Sequence, residues 1–174
     1  MNVIRSSVIF YITVLLLYSC ASKKYQIEIE PSGTRIFKGM IERSTLEHDS
    51  TFTWFKTNYE TYSVDSMSLQ TISELSYDIH FVMVLGTWCG DSKKEVPKLF
   101  KVFDSANISE HKIQSIGVDR SKKSYDGLSD KYNIQRVPTL IVLRGELELG
   151  RIVEYPKETL EKCIVKILQN NKDK

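Results

Sequence analysis

The feature that most constrains this chain is a junction. A near-continuous apolar run, Ile79-His80-Phe81-Val82-Met83-Val84-Leu85, passes through Gly86-Thr87-Trp88-Cys89-Gly90 into a helical pattern from about Asp91 to Phe103. A strand that is apolar on both sides of its pleat must be covered on both faces. The cysteine then sits where the strand stops and the helix begins. Backbone N–H groups in the first helical turn lack intrahelical partners, and the positive end of the helix dipole favours a thiolate over a thiol. Trp88 covers one side of the sulfur and Gly90 leaves the approach open. Asp91 works the other way, because a carboxylate nearby disfavours a second negative charge.

The following residues supply the rest of a sheet. Lys112 to Val118 alternates as a second strand closing at Asp119, and a short helix follows near Leu128 to Tyr132. Thr139 to Leu143 is a third apolar strand, and Arg144-Gly145-Glu146 turns it into Leu147 to Glu154. In the last helix Leu160, Cys163, Ile164, Ile167 and Leu168 share one face. Cys163 therefore reads as a small core residue. The order β-α-β-α-β-β-α mixes one crossover with a terminal hairpin, which makes an α/β fold: a central mixed β-sheet flanked by helices.

Upstream, Ile36 to Glu42 has the pattern of a short strand, and Ser44-Thr45-Leu46-Glu47 has capping-box spacing. Phe52, Trp54, Phe55 and Tyr59 predict a helix packed on the domain edge, with a partner-binding face as the other reading of the aromatic segment. Ser66 to Leu75 predicts a further helix, with Met67, Leu69, Ile72 and Leu75 at its apolar positions. One domain over residues 36–174 results, with its core at about 79–168 and a helical N-terminal extension at 36–76.

Trp88-Cys89-Gly90-x-x-Lys93 resembles the thioredoxin active-site motif. Pro97 stands where thioredoxins carry the proline that bends the active-site helix. Arg136-Val137-Pro138-Thr139 is similar to the family's cis-proline loop, and Gly150 falls near a usual family glycine. The stretch from Phe81 to Pro97 looks like envelope proteins of this family that carry Trp-Cys-Gly-Asp-Ser. The resemblance implies a thioredoxin-like fold, a nucleophilic Cys89, and substrate docking by Trp88, Gly90 and the Val137-Pro138 backbone. Two departures matter. The second cysteine of the family is Ser92 here, whose hydroxyl can hydrogen-bond a Cys89 thiolate but cannot form a disulfide. The family's buried acid is replaced by Met83.

The N-terminus reads as an export signal. Arg5 precedes an apolar run from Val8 to Leu17 that is broken only by Thr13. Spanning a bilayer takes about 20 apolar residues, more than this run provides. Leu17-Tyr18-Ser19-Cys20 resembles a bacterial lipobox, which implies a signal peptide at 1–19, cleavage before Cys20 and lipid on its thiol. A soluble exported protein cut near Ser22 is the other reading. Residues 20–35, with the turn signal Pro31-Ser32-Gly33, are expected to be a flexible tether. The chain would then be lipid-anchored in the bacterial cell envelope facing the periplasm, where disulfides are permitted.

Other chemistry is thinly represented. With 24 basic against 22 acidic residues the charge is +2, so no nucleic-acid partner is expected. His48, His80 and His111 lack metal-site spacing, and neither a metal nor a cofactor is called for. Asp119-Arg120 reads as a surface ion pair near the site's rim. The leading function is thiol–disulfide exchange through Cys89 alone, with exported cysteine-containing proteins as partners and an external thiol donor. A non-catalytic binding module is the alternative. Peroxide chemistry through a sulfenic acid trails both.

Overall fold

Residues 24–171 are described in the computed structural model of the chain, and they open with a strand where a tether was expected. β1 (Tyr25–Ile29) and β2 (Arg35–Met40) form an antiparallel hairpin in which Ile27 faces Phe37. Tyr25 and Ile27 turn inward while Gln26 and Glu28 stay exposed, so a period-2 pattern was present but short. Gly33, at φ +82°, takes the left-handed position of the Pro31-Ser32-Gly33 turn, and its amide donates to the Glu30 carbonyl at 2.8 Å. The tether expectation is thus corrected for 25–35. The proposed signal segment and Cys20 lie outside the described residues.

The extension continues through α1 (Arg43–His48), a 3-10 turn (Ser50–Phe52), α2 (Trp54–Thr61) and α3 (Ser66–Leu75). The Ser44-x-x-Glu47 capping box does not form. The helix begins at Arg43, one residue before Ser44, and Glu47 instead accepts from Arg43 Nε at 2.6 Å. Side-chain caps come from Asp49 and Asp65. Met67 is 87% exposed, while Ser68 and Ile72 are the buried residues of α3. A period that fixes a stripe cannot fix which way the helix is rolled.

β3 (Ile79–Leu85), α4 (Gly90–Ser105) and β4 (Ile113–Gly117) then make one parallel crossover unit. α5 (Leu128–Lys131) precedes β5 (Thr139–Arg144), β6 (Leu147–Val153) and α6 (Leu160–Gln169). The sheet order is β1-β2-β4-β3-β5-β6, and only β3 and β4 run parallel. Phe81, Met83, Leu85, Leu140 and Val142 join one core with residues of α4 and α6. Phe37, Leu46, Phe52 and Phe55 belong to that same core, so the extension is part of the domain rather than a layer at its edge. On the other face Val82, Val84, Ile116 and Ile141 pack with Ile134, Val137, Trp88 and Leu128. α2 packs along α4 and α3 along α6.

A charged network fastens the extension to the far end of α4. Arg43 donates through both terminal nitrogens to the Asp104 carboxylate at 2.6 and 2.7 Å, and the Tyr59 hydroxyl donates to the same carboxylate at 2.6 Å. Partial burial pushes the Asp104 carboxyl up, but the hydrogen bonds from Arg43 and Tyr59 outweigh it and hold the group below its ordinary value. A depressed carboxyl contributes stability above the unfolded value of about 3.9 and loses it as pH falls through the folded value. Asp104→Asn is therefore expected to cost about 1–2 kcal/mol at pH 7, allowing for partial exposure. Its deficit against wild type should close in acid, below about pH 4. Urea unfolding at pH 7 and pH 3 checks this, and an equal deficit at both contradicts it.

Candidate active site

The end of β3 is held by the Val118 amide, which donates to the Leu85 carbonyl at 3.0 Å. The chain then turns over Gly86 to Cys89, closed by the Cys89 amide donating to the Gly86 carbonyl at 2.9 Å. Cys89 is the N-cap of α4, in extended conformation, and its carbonyl accepts the Lys93 amide at 3.1 Å. The sulfur is half-buried, and Sγ donates to the Val137 carbonyl oxygen across 3.5 Å. The Val137–Pro138 bond is cis. The Pro138 carbonyl already accepts the Glu154 amide at 2.7 Å, and an Arg136–Glu154 ion pair at 2.9 Å flanks the loop. A side chain at position 90 would meet nothing within 4 Å, so the approach over Gly90 is open.

Ser92 stands elsewhere than expected. It is fully buried, and its Oγ accepts the Gly86 amide at 3.2 Å. As the third residue of α4 it reaches back under the turn, as N3 side chains do, so it braces the loop beneath Cys89 instead of bonding the sulfur. Trp88 is pinned on several sides. Its Nε1 donates to the Val118 carbonyl at 3.0 Å, and a Cβ at Gly86 would lie 2.7 Å from the indole. Only glycine allows the ring to pack there. The Arg120 guanidinium lies 4.9 Å from the ring centroid. Arg120 pairs with Glu30, at 2.6 and 2.9 Å, and not with its neighbour Asp119. The hydrogen bond from Arg120 holds the Glu30 carboxyl below its ordinary value.

Three residues that support the site carried no direct sequence signal. Thr87, buried next to Trp88, accepts the Phe37 amide at 3.2 Å and donates to the Arg35 carbonyl at 3.3 Å, joining the turn to β2. Glu30 acts through Arg120. Asn58 in α2 donates to the Lys93 carbonyl at 3.2 Å. That carbonyl would ordinarily accept the amide of residue 97, which is proline, so Asn58 fills a vacancy created inside the helix. Pro97 signalled that a donor was needed without saying which residue provides it.

Met83 is fully buried in the core that β3 shares with α4 and α6. Cys163 is half-buried on α6, packed against the main core, and burial pushes its thiol up. No disulfide joins Cys89 and Cys163, which are both free. Among the described residues no cluster of histidine, cysteine or acidic groups is able to hold a metal. What the arrangement offers chemically is one accessible sulfur at a helix start, beside a carbonyl edge, with a hydroxyl at the position one turn along.

The solved structures to which the chain is similar share little of its sequence. A Pseudomonas aeruginosa protein of unknown function is 15% identical, covering 74% of this chain and 90% of its own, with a TM-score of 0.54. An HIV epitope scaffold is 16% identical, covering 72% and 87%, with a TM-score of 0.50. Thioredoxin f2 of Chlamydomonas reinhardtii is 21% identical, covering 64% and 96%, with a TM-score of 0.39. No curated relative matches. The family model described as thioredoxin matches residues 38–169, from β2 through the cis-proline loop to the end of α6, and the chain belongs to the thioredoxin family.

Proposed function

We propose that this protein is a lipid-anchored thiol–disulfide exchange protein of the bacterial envelope, working through Cys89 alone. Family membership points to redox or thiol–disulfide chemistry. The observation that carries the finer reading is the half-exposed Cys89 sulfur at the start of α4, with Ser92 one turn along. In the first step the Cys89 thiolate attacks a disulfide in an exported protein. A new S–S bond forms, and the other half of the old disulfide leaves as thiolate. In the second step a thiolate from outside attacks the partner's sulfur in that mixed disulfide, returning Cys89 and leaving the partner in a new disulfide. Electrons balance over the cycle, which is an exchange and consumes no oxidant or reductant.

Trp88 and Gly90 shape the approach to the sulfur, and the Val137-Pro138 edge aligns the partner's backbone beside it. Cys20 carries the lipid, so that the domain faces the periplasm. The test is mass spectrometry of the membrane-extracted protein after acid trapping of thiols. Peptides disulfide-linked to Cys89, together with acyl chains on Cys20, are the expected result. Cys89 recovered only as free thiol, in oxidising and reducing medium alike, leaves the binding-module reading in its place. An unmodified Cys20 removes the anchor.

A further inference from the structure

The path from Glu30 to Trp88, a hydrogen-bonded ion pair followed by a cation–π contact, serves no purpose in the exchange steps as written, and it joins the hairpin to the residue beside the thiol. Glu30 sits where β1 enters its turn, with its amide bonded to the Thr34 carbonyl at 3.0 Å and its carbonyl to the Gly33 amide. Its side chain is mostly buried, at 18% exposure, while that of Arg120 is 57% exposed. The carboxylate is thus the fixed end of the pair. Two near-parallel bonds, from Nε and Nη2 to the two carboxylate oxygens, fix the plane of the guanidinium as well as its position. A fixed guanidinium stacks on the indole in a way that an ammonium does not reproduce.

We propose that Arg120 is a positioning residue for the Cys89 thiol, acting through the Trp88 indole and itself held by Glu30. The proposal rests on Cys89 being the exchanging group. Trp88 and Cys89 are consecutive in one tight turn and pack in the same cluster. The indole, held by Gly86, by the Val118 carbonyl and by Arg120, would then serve as a fixed wall beside the sulfur. Attack on a disulfide requires a narrow approach geometry, so loosening that wall slows the reaction even though the sulfur is untouched.

A positioning role and a simple charge effect predict opposite signs. If Arg120 acted only as a cation near the sulfur, removing Glu30 would unmask it and leave the rate equal or higher. If Arg120 acts by position, Glu30→Gln frees the guanidinium and lowers the rate. Arg120→Lys separates the two again, since it keeps the charge and loses the bidentate, stacked arrangement.

The experiment measures the second-order reaction of the full chain with the neutral disulfide 2,2′-dipyridyl disulfide, counting only the part lost in Cys89→Ser. Glu30→Gln, Arg120→Lys and Arg120→Gln are each expected to slow it roughly three- to tenfold. Acrylamide quenching of Trp88 emission, in a Trp54→Phe background, should rise in the same three variants. Thermal midpoints should stay within about 3 °C of wild type, as loss of a single ion pair with one end in solvent allows. Full rate in Arg120→Lys, or an unchanged or faster rate in Glu30→Gln, overturns the proposal and leaves the exchange reading standing. A wild-type chain with no Cys89-dependent reaction overturns both.

Discussion

A Ser92→Cys variant is expected to release its mixed disulfides at least about tenfold faster than the wild-type chain. Cys89 is the N-cap of α4 and residue 92 is its third residue, the pair of positions whose side chains reach toward each other in a capping box. A disulfide needs Cα atoms about 4.4–6.8 Å apart, a separation that one helical turn supplies. A thiol at 92 would therefore attack the Cys89 side of any mixed disulfide from within the molecule, where wild type waits for a thiol from solution. The substitution has a cost, because the Gly86 amide exchanges a hydroxyl oxygen at 3.2 Å for a weakly accepting sulfur. That amounts to about 1 kcal/mol, too little to unseat the turn. With Cys163 replaced by alanine in both chains, each is treated with 2,2′-dipyridyl disulfide. The variant should liberate a second equivalent of pyridine-2-thione with no added thiol, while wild type holds its mixed disulfide until one is supplied. Equal lifetimes would mean that the side chain at 92 cannot reach the sulfur.

What the sequence shows of this protein and what it hides divide along physical lines. The β3-to-α4 junction was legible because a doubly apolar strand and an amphipathic helix are local patterns, and the bend between them needs only Gly86 and the turn that follows. The strand and hairpin from Thr139 to Val153 were legible for the same reason. Of the N-terminal hairpin, β2 was legible as a short strand but β1 was not, because Tyr25 and Ile27 alternate with polar residues over too few positions to outweigh a polar neighbourhood and a turn signal. The hairpin's burial is decided by Phe37 meeting Phe52, which are brought together by the fold and not by spacing. Cys89 was found through its own helix start. Its supports, Thr87, Asn58, Arg120 and Glu30, were hidden because each bonds to residues distant in the chain. Ser92 was placed on the right turn with the wrong partner: spacing brings it near the cysteine, but packing decides that its oxygen faces the Gly86 amide.

Phe37→Ala is expected to destabilise the domain by about 3–5 kcal/mol, whereas Ile29→Ala in the same hairpin should change stability by no more than about 0.5 kcal/mol. Phe37 is fully buried, with ring centroids 5.2 Å from Tyr25 and 4.7 Å from Phe52 and the Arg35 guanidinium 5.2 Å from its ring. Ile29 is 69% exposed at the end of β1. A segment lying loosely against the domain would make both substitutions mild, and a hairpin built into the core makes only the first one costly. At roughly 2–4 °C per kcal/mol for a domain of this size, the midpoint should fall by about 6–20 °C. The damage should also reach the thiol, because the Phe37 amide is bonded to the Thr87 hydroxyl, one residue before Trp88. A cavity beneath β2 loosens that anchor, so in a Trp54→Phe background the same variant, at a temperature where it remains folded, should show greater acrylamide quenching of Trp88. Stability lost without any change at Trp88 would show the hairpin to be a structural support alone. Loss of both ties the burial of one phenylalanine to the shape of the site.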